Sequence, residues 1–473
     1  MNRQLRLIGG SFRGLIFGVM WLLVTLCMVP ATSRAAINRG PYLSFVNDPN
    51  HCIVVSWGTG LPSAGIVQFG TGIPYSDVAV EATSDTLHHV ELSGLTGNTH
   101  YYYRVICDLD TATGDFWTAP TPSQAFEIIA YGDSRSNPTV HRTVVDRYMQ
   151  YPHRLILSTG DLAYHGELWE FDAYLFQPAA TAMMTSPFIS IVGGHDSDPW
   201  NTPPNFTFTN YQTLMELPGN ELYFSFDYGP MHVIALNSEV AWQYGPQTPE
   251  TQWIEADLTA TNQPYRIAIF HMPPYTSGTG NPNNMGIRQY WCPIFRQHHV
   301  QMVLNGHQHF YQRCEPGDGI KYVITGGGGA GLYTPTFDSS YVVAAAQAYH
   351  FLWVEVNPDS IHVTAIDTAN TVLDEFSILP WTPNVPAQVR FVTMQQAPSS
   401  SVQLTWNAVR QNTMGDPIVV DQYHIYRDPA TPDFAPDLLH FLASTPDTTW
   451  TDISVPPDMI HAFYKVTAVL LNP

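Results

Sequence analysis

Residues 126–134, FEIIAYGDS, hold a short apolar run that stops at Gly132 and hands Asp133 to a polar loop. An apolar run of this length without alternation reads as a strand buried on both faces, and the glycine behind it permits a sharp turn. The pattern returns in HRLILSTGD (153–161), PFISIVGGHD (187–196), MHVIALNSE (231–239), YRIAIFHMP (265–273), VQMVLNGHQH (300–309) and KYVITGGGG (321–329). Helical signals lie between the runs. Val140, Val144 and Tyr148 recur at helical spacing, and Thr248-Pro249-Glu250 supplies a capping residue, a first-turn proline and a first-turn acid ahead of TQWIEADL. Buried strands alternating with helices predict an α/β layered domain over 124–380, continuing through FLWVEVNP and SIHVTAID.

The flanks read differently. From 40 to 120 the segments CIVVSWGT, GIVQFG, HHVELSGL and HYYYRVIC are short strands closed by turn residues, which predicts a β-sandwich over 36–120. Trp57 and the run Tyr101, Tyr102 and Tyr103 fit its core and sheet faces better than a ligand platform. The Pro-rich joint TAPTPSQ (118–124) ends it, and after LPWTPNVPA (379–387) the short-strand pattern resumes in SVQLTWNAV, QYHIYRD and FYKVTAV, predicting a second sandwich over 384–473. At 473 residues, with 38 Pro, 33 Gly and only 12% charged residues, the composition suits a multidomain, strand-rich chain and excludes global disorder.

Residues 1–35 carry Arg3, Arg6 and Arg13, an apolar run from 15 to 28, and Ser33-x-Ala35, and are expected to be a cleaved secretory signal. The run is shorter than the roughly 20 residues that span a bilayer, so no stable membrane insertion is expected after cleavage. The expected location is extracellular or periplasmic. The remaining 15 basic and 40 acidic residues leave a balance of −25, a poor surface for nucleic acid. In an oxidising compartment Cys52 would pair with Cys107 and Cys292 with Cys314, the alternative being buried free thiols. Asn205-Phe206-Thr207 is a glycosylation sequon.

The strand ends of the middle domain deliver Asp133, Asp161 with Tyr164, His195 with Asp196, His271, and His307 with His309. Groups at the carboxyl ends of strands in an open α/β sheet collect in one crevice. Each residue alone has a bland explanation as a turn or a satisfied polar group, but the joint pattern does not. Carboxylate, imidazole and phenolate without cysteine suit iron, zinc or manganese. A carboxylate can bridge two ions, and such a pair generates a hydroxide near neutral pH and clamps the oxygens of a displacement at phosphorus. Phosphoester hydrolysis is the chemistry suggested. Gly326 to Gly329 is not followed by Lys-Ser or Lys-Thr, which excludes a nucleotide P-loop and leaves a turn near the site rim.

Gly132-Asp133-Ser134-Arg135, Gly160-Asp161-Leu162-Ala163-Tyr164, Gly193-Gly194-His195-Asp196, His271-Met272-Pro273-Pro274-Tyr275 and Gly306-His307-Gln308-His309 occur in the order found in calcineurin-like metallophosphoesterases. With the Gly-Asp-x-x-Tyr form and the preceding sandwich, residues 37–375 resemble a purple acid phosphatase, and the last sandwich resembles a fibronectin type III module. The resemblance implies a four-layer αββα catalytic domain and two metal ions. Asp133, Tyr164 and His309 would bind the first ion, Asp161 would bridge, and His271 and His307 would hold the second. The tyrosinate would make the first ion Fe(III), beside a divalent iron, zinc or manganese. His195 would contact the phosphate or protonate the leaving oxygen, and Asp196 would orient its ring. The substrate implied is a small phosphomonoester, hydrolysed through a metal-bound hydroxide.

The chain departs from the pattern twice. Gly194 stands where the family has an asparagine ligand of the second metal, so water, a backbone carbonyl or an acid such as Asp198 would have to substitute. The His pair of plant members is missing from TSGTGNPNNMG (276–286). Two other readings stay open: a phosphodiesterase or nucleotidase on the same site, and a degenerate binding protein that has lost the second metal.

Overall fold

The computed structural model describes residues 34–470 except 109, 199–205, 241–242, 338, 382–387, 391, 398–400, 413–417, 433, 435, 437–438 and 456–460. The expected signal segment, apart from its last two residues, and Asn205 of the sequon lie outside them. Among the described residues no helix is long and apolar enough to cross a membrane. The chain divides in sequence into two compact units, one ending at Pro380 and the other beginning at Trp381.

The first unit begins with β1 (Ile37–Ser44), β2 (Cys52–Gly70), β3 (Asp77–Ser93), β4 (His100–Cys107) and β5 (Asp110–Trp117). They pair antiparallel in the order β1-β2-β4-β5, with β3 also on β2. CIVVSWGT and GIVQFG, expected as separate strands, are the two halves of β2. Its register against β3 slips between Gly58 and Ser63 and again between Ala64 and Ile66. Such bulges bend a strand without ending it, so the first half pairs with β1 and the second with β4. Trp57, Val67, Tyr103 and Val105 are fully buried, and Trp57 stacks on the buried His88. Side-chain bonds fasten this all-β region to the α/β layers of the same unit. Arg39 Nε and Nη2 donate to the two oxygens of Asp172 at 2.5 and 2.9 Å, Tyr42 Oη donates to the Leu214 carbonyl at 2.6 Å, and Tyr103 Oη to that of Met184 at 2.9 Å.

Next come β6 (Phe126–Tyr131), β7 (Ile156–Ser158), β8 (Phe188–Ser190), β9 (Phe224–Tyr228), β10 (Met231–Ala235), β11 (Tyr265–Ile269), β12 (Met302–Asn305), β13 (Tyr311–Cys314), β14 (Lys321–Thr325), β15 (Val342–Ala346), β16 (His350–Val356), β17 (Ile361–Asp367) and β18 (Val372–Ile378). One sheet has the order β18-β17-β16-β6-β7-β8 and the other β15-β13-β14-β12-β11-β10-β9. Pairs β6/β7, β7/β8, β10/β11, β11/β12 and β12/β14 are parallel. Alternate side chains of the second sheet serve two different cores, as the two-residue period of a strand demands. Val233, Ile267, Leu304 and Val323 join Ile128, Leu157 and Ile189 of the first sheet. Ile234, Ala268, Val303 and Tyr322 face the other way and pack with Ile254, Leu258, Trp291 and Phe295.

Those last four lie on the helices of the outer layer. The helices are α1 (Pro138–Tyr148), α2 (Leu168–Phe171), α3 (Gln177–Met183), α4 (Thr209–Leu214), α5 (Pro249–Ala260) and α6 (Met285–Gln297), with a π-turn (Asp172–Phe176) between α2 and α3. α1 buries Val144, Val145 and Tyr148 in the core of the first sheet. α5 and α6 cover the second, completing an αββα stack. Thr248 precedes α5 as expected, but its hydroxyl donates to the Gly245 carbonyl at 2.9 Å rather than capping the helix. Glu250 accepts from Asn237 N at 2.8 Å and so ties α5 to the loop after β10.

The second unit holds two three-stranded antiparallel sheets. β19 (Thr393–Ala397), β20 (Ser401–Thr405) and β23 (Thr449–Asp452) form one, and β22 (Phe441–Thr445), β21 (Gln422–Asp428) and β24 (Phe463–Val469) form the other. Val389, Leu404, Trp406, Tyr423, Ile425 and Val466 fill the core.

The expected disulfides are not formed. Cys52, Cys107, Cys292 and Cys314 are free and buried. Cys52 sits opposite Ser93 at the start of β2, whereas Cys107 ends β4 with its Sγ 3.0 Å from Ser63 Oγ. Cys292 is inside α6 and Cys314 pairs with Tyr322 across β13 and β14. The thiols are therefore packing groups.

Candidate metal centre

The carboxyl ends of β6, β7, β8, β11 and β12 bring the sequence-predicted residues to one place. Three of them hold left-handed backbone, with φ of 57° at Asp133, 58° at Asp161 and 68° at His307. A non-glycine residue in this region costs about 1 kcal/mol or more and persists only where its surroundings dictate it. Here they do. Asp133 N donates to the Gly160 carbonyl at 2.9 Å, Gly306 N to that of His271 at 3.1 Å, and Gly328 N to that of Gly132 at 2.9 Å. The glycine run after β14 has its reason in this packing, since a Cβ at Gly328 would stand 2.4 Å from the Gly132 carbonyl oxygen.

The ligand atoms of Asp133, Asp161 and His309 all lie within 4.8 Å of one another. His309 Nε2 is 3.4 Å from Asp133 Oδ1, and His271 Nε2 is 3.4 Å from Asp161 Oδ1. The opposite ring nitrogens are engaged. Nδ1 of His271 bonds the Thr159 carbonyl at 2.8 Å and Nδ1 of His309 bonds that of Gly331 at 2.7 Å. A carbonyl accepts only, so each Nδ1 carries hydrogen and each Nε2 is turned toward the carboxylates, the usual arrangement of a ligating imidazole. His271 Nε2 is buried without a hydrogen bond. The His307 ring packs edge-on against His271 with centroids 5.1 Å apart, and its backbone N–H donates to both oxygens of Asp133 at 3.1 and 3.0 Å. This oxygen and nitrogen donor set fits borderline metal ions.

Tyr164 and His195 form the rim. Their rings stack with centroids 5.1 Å apart, and His195 Nδ1 bonds the Tyr164 carbonyl at 2.7 Å. Before any metal binds, the charged groups of the centre shift one another's proton affinities. Burial disfavours the His271 imidazolium, but the Asp161 carboxylate overrides it and pushes its pKa up to about 10. Burial likewise opposes ionisation of Asp161, yet His271 and Arg135 hold it well below the usual carboxylate range. Burial, reinforced by His271, lowers His307 to about 4 and keeps it neutral.

Asp196 does not orient the His195 ring. Its carboxylate accepts from Asp161 N, Leu162 N, Ala163 N and Gly193 N at 2.7 to 2.9 Å, so it fastens the loop that carries Asp161. The ring is oriented by the Tyr164 carbonyl instead. Asp198 has no atom within 4 Å of a Cβ built on Gly194; its Oδ2 accepts from Asn210 N at 3.2 Å at the start of α4, and its Oδ1 is buried without a hydrogen bond.

Two residues escaped the sequence reading. Arg135 Nε donates to Asp161 Oδ2 at 2.9 Å, and the guanidinium lies 5.3 Å from the centroid of the Tyr164 ring. It stands two positions after Asp133 in the same loop, which was the available signal. Glu239 is only 3% exposed, and its Oε2 would lie 3.2 Å from a Cβ built on Gly194. Its contribution comes from the loop after β10, where the sequence offered an acid but no histidine to mark it.

Two family models match the chain: the calcineurin-like phosphoesterases over residues 128–311 and the purple acid phosphatase N-terminal domain over 39–146. Purple acid phosphatase 21 of Arabidopsis thaliana is 27% identical over 248 residues, covering 49% of this chain and 54% of that protein. An uncharacterized protein of Mycobacterium tuberculosis is 26% identical over 335 residues, 59% of this chain and 62% of that one. The chain thus spans somewhat over half the length of these relatives. In fold it is similar to the purple acid phosphatase of yellow lupin (Lupinus luteus) seeds, with a TM-score of 0.64 at 18% identity over 72% of this chain and 74% of that one. It is also similar to PhoD, with a TM-score of 0.55 at 10% identity over 79% and 90%. The chain carries a calcineurin-like phosphoesterase domain behind a purple acid phosphatase N-terminal domain.

Proposed function

We propose that the chain is a secreted binuclear metal-dependent phosphatase acting on phosphomonoesters. The observation that carries this reading is the pair of imidazole Nε2 atoms, on His271 and His309, each 3.4 Å from a buried carboxylate oxygen and each fixed through Nδ1 by a carbonyl. Asp133, Tyr164 and His309 would hold one ion, His271 and His307 the other, and Asp161 would bridge. When bound, such a pair supplies a hydroxide near neutral pH and neutralises phosphate oxygens. His195, at the rim with Nδ1 held by the Tyr164 carbonyl, presents Nε2 for a proton or a phosphate oxygen. The Arg135 guanidinium lies within reach of the same crevice and favours an anionic substrate.

A ferric ion at the Tyr164 position and a divalent iron, zinc or manganese beside it complete the proposal, with the C-terminal sandwich as a fibronectin type III-like accessory. Export of the chain is read from residues 1–35. The test is metal content measured together with phosphomonoester and phosphodiester turnover on one purified sample. About two ions per chain and preferential monoester turnover support the reading, diester preference shifts the substrate class, and neither ions nor turnover overturns it. Iron-loaded protein should show a visible charge-transfer band that disappears in Tyr164→Phe; a band that survives the substitution refutes the tyrosinate.

A further inference from the structure

We infer that Glu239 supplies the oxygen ligand of the second metal position, occupying the space that a side chain at residue 194 would fill. The inference rests on the binuclear reading above. A Cβ on Gly194 would approach Glu239 Oε2 to 3.2 Å and its Cδ to 3.8 Å, so the carboxylate and a residue-194 side chain compete for one volume. The contact is tighter than most Cβ contacts, so a side chain at 194 would require the glutamate to give way by a few tenths of an ångström.

The carboxylate is built into its place. Glu239 N donates to Asn237 Oδ1 at 2.9 Å, and Ser238 Oγ donates to Glu239 Oε1 at 3.3 Å. Ser238 is itself fixed, because its Oγ accepts from Met272 N at 2.9 Å and its carbonyl from Tyr244 Oη at 2.6 Å. The loop after β10 is thereby locked to the loop that carries His271. Oε1 is held by Ser238, and Oε2 is the oxygen that faces Gly194. The residue is 3% exposed, and a cation would offset the desolvation of its charge. Gly194, which Glu239 faces, precedes His195, whose N–H donates to Asp161 Oδ1 at 3.0 Å, so the carboxylate lies beside the loop contact of the bridging residue, and Asp161 and His271 would share that cation. His271 Nε2 is buried without a hydrogen bond.

The experiment titrates Mn(II) into the full chain by calorimetry and counts retained metal after gel filtration, for the wild type, Glu239→Ala, Glu239→Gln and Gly194→Asn/Glu239→Ala. The wild type should bind about two ions. Glu239→Ala should keep one and lose the other by more than the roughly 100-fold that loss of an outer-shell partner costs. Glu239→Gln, which retains a neutral oxygen, should lose less, and the double variant should recover the second ion because asparagine then has the room. Thermal unfolding and the retained first ion report on folding in each case. Two ions bound by Glu239→Ala as tightly as by the wild type overturn the role of Glu239 alone. A wild type that binds fewer than two ions overturns the binuclear reading and this inference with it.

Discussion

At the scale of single residues, the centre works by removing choices. A histidine has two nitrogens, and here a backbone carbonyl takes Nδ1 of each of His195, His271 and His309, which fixes the tautomer with Nε2 as the acceptor. Asp161 faces His271 and Arg135 together, which makes its carboxylate the hub of the charge arrangement. Asp161→Asn keeps the shape but halves the donor capacity for two ions. Its metal affinity should fall by more than the roughly 10- to 100-fold typical of an outer-shell loss, with turnover falling in parallel; near-normal affinity in calorimetry refutes the bridging role. These side chains could be named from motifs, because the short strings around them are self-contained. Arg135, although it closes the Gly132–Arg135 string, and Glu239 gained a role only from the fold, since what an arginine or glutamate does depends on what it faces.

At the scale of elements, strand ends and the glycines behind them set the geometry. A Cβ on Gly193 would stand 2.2 Å from Asp161 Oδ1 and 2.6 Å from Asp161 N. Gly193→Ala should therefore displace the Asp161 loop, costing about 1–3 kcal/mol of stability and the metal pair together; a variant as stable as the wild type in urea denaturation contradicts this packing. Away from the centre, His232 on β10 bonds Asp227 Oδ1 through Nδ1 at 2.7 Å and Asp257 Oδ2 of α5 through Nε2 at 2.8 Å. Burial disfavours its imidazolium, but the two carboxylates override it and raise the pKa to about 9. A folded-state pKa above the unfolded value of about 6.5 means that this stability is complete below pH 6.5 and is lost as pH rises through 9. Denaturation midpoints should fall as pH rises from about 6.5 to about 9.5, and His232→Gln should flatten that slope; an unchanged slope in the variant refutes the assignment.

At the scale of the molecule, the all-β region and the phosphoesterase domain of the first unit share a core and the Arg39–Asp172 and Tyr42–Leu214 contacts. Calorimetry should show one unfolding transition for residues up to Pro380 and a separate one for those from Trp381. A chain ending at Pro380 should keep its metal and its turnover; loss of both would show that the C-terminal sandwich takes part. Without reductant, the unfolded chain should react with a thiol reagent at Cys52, Cys107, Cys292 and Cys314, and the native chain at none of them; a missing pair would reveal a disulfide. By itself, the sequence determined the succession of β, α/β and β regions, the strand ends and the residues they deliver. These are local properties, since apolar periodicity and turn chemistry act over a few neighbours. Only the tertiary structure decided that β2 is one bent strand, that the cysteines stay apart, that Asp196 anchors backbone, and that Glu239 fills the space beside Gly194. Those outcomes depend on which distant segments come within a few ångströms of one another, and close packing, not local pattern, settles that.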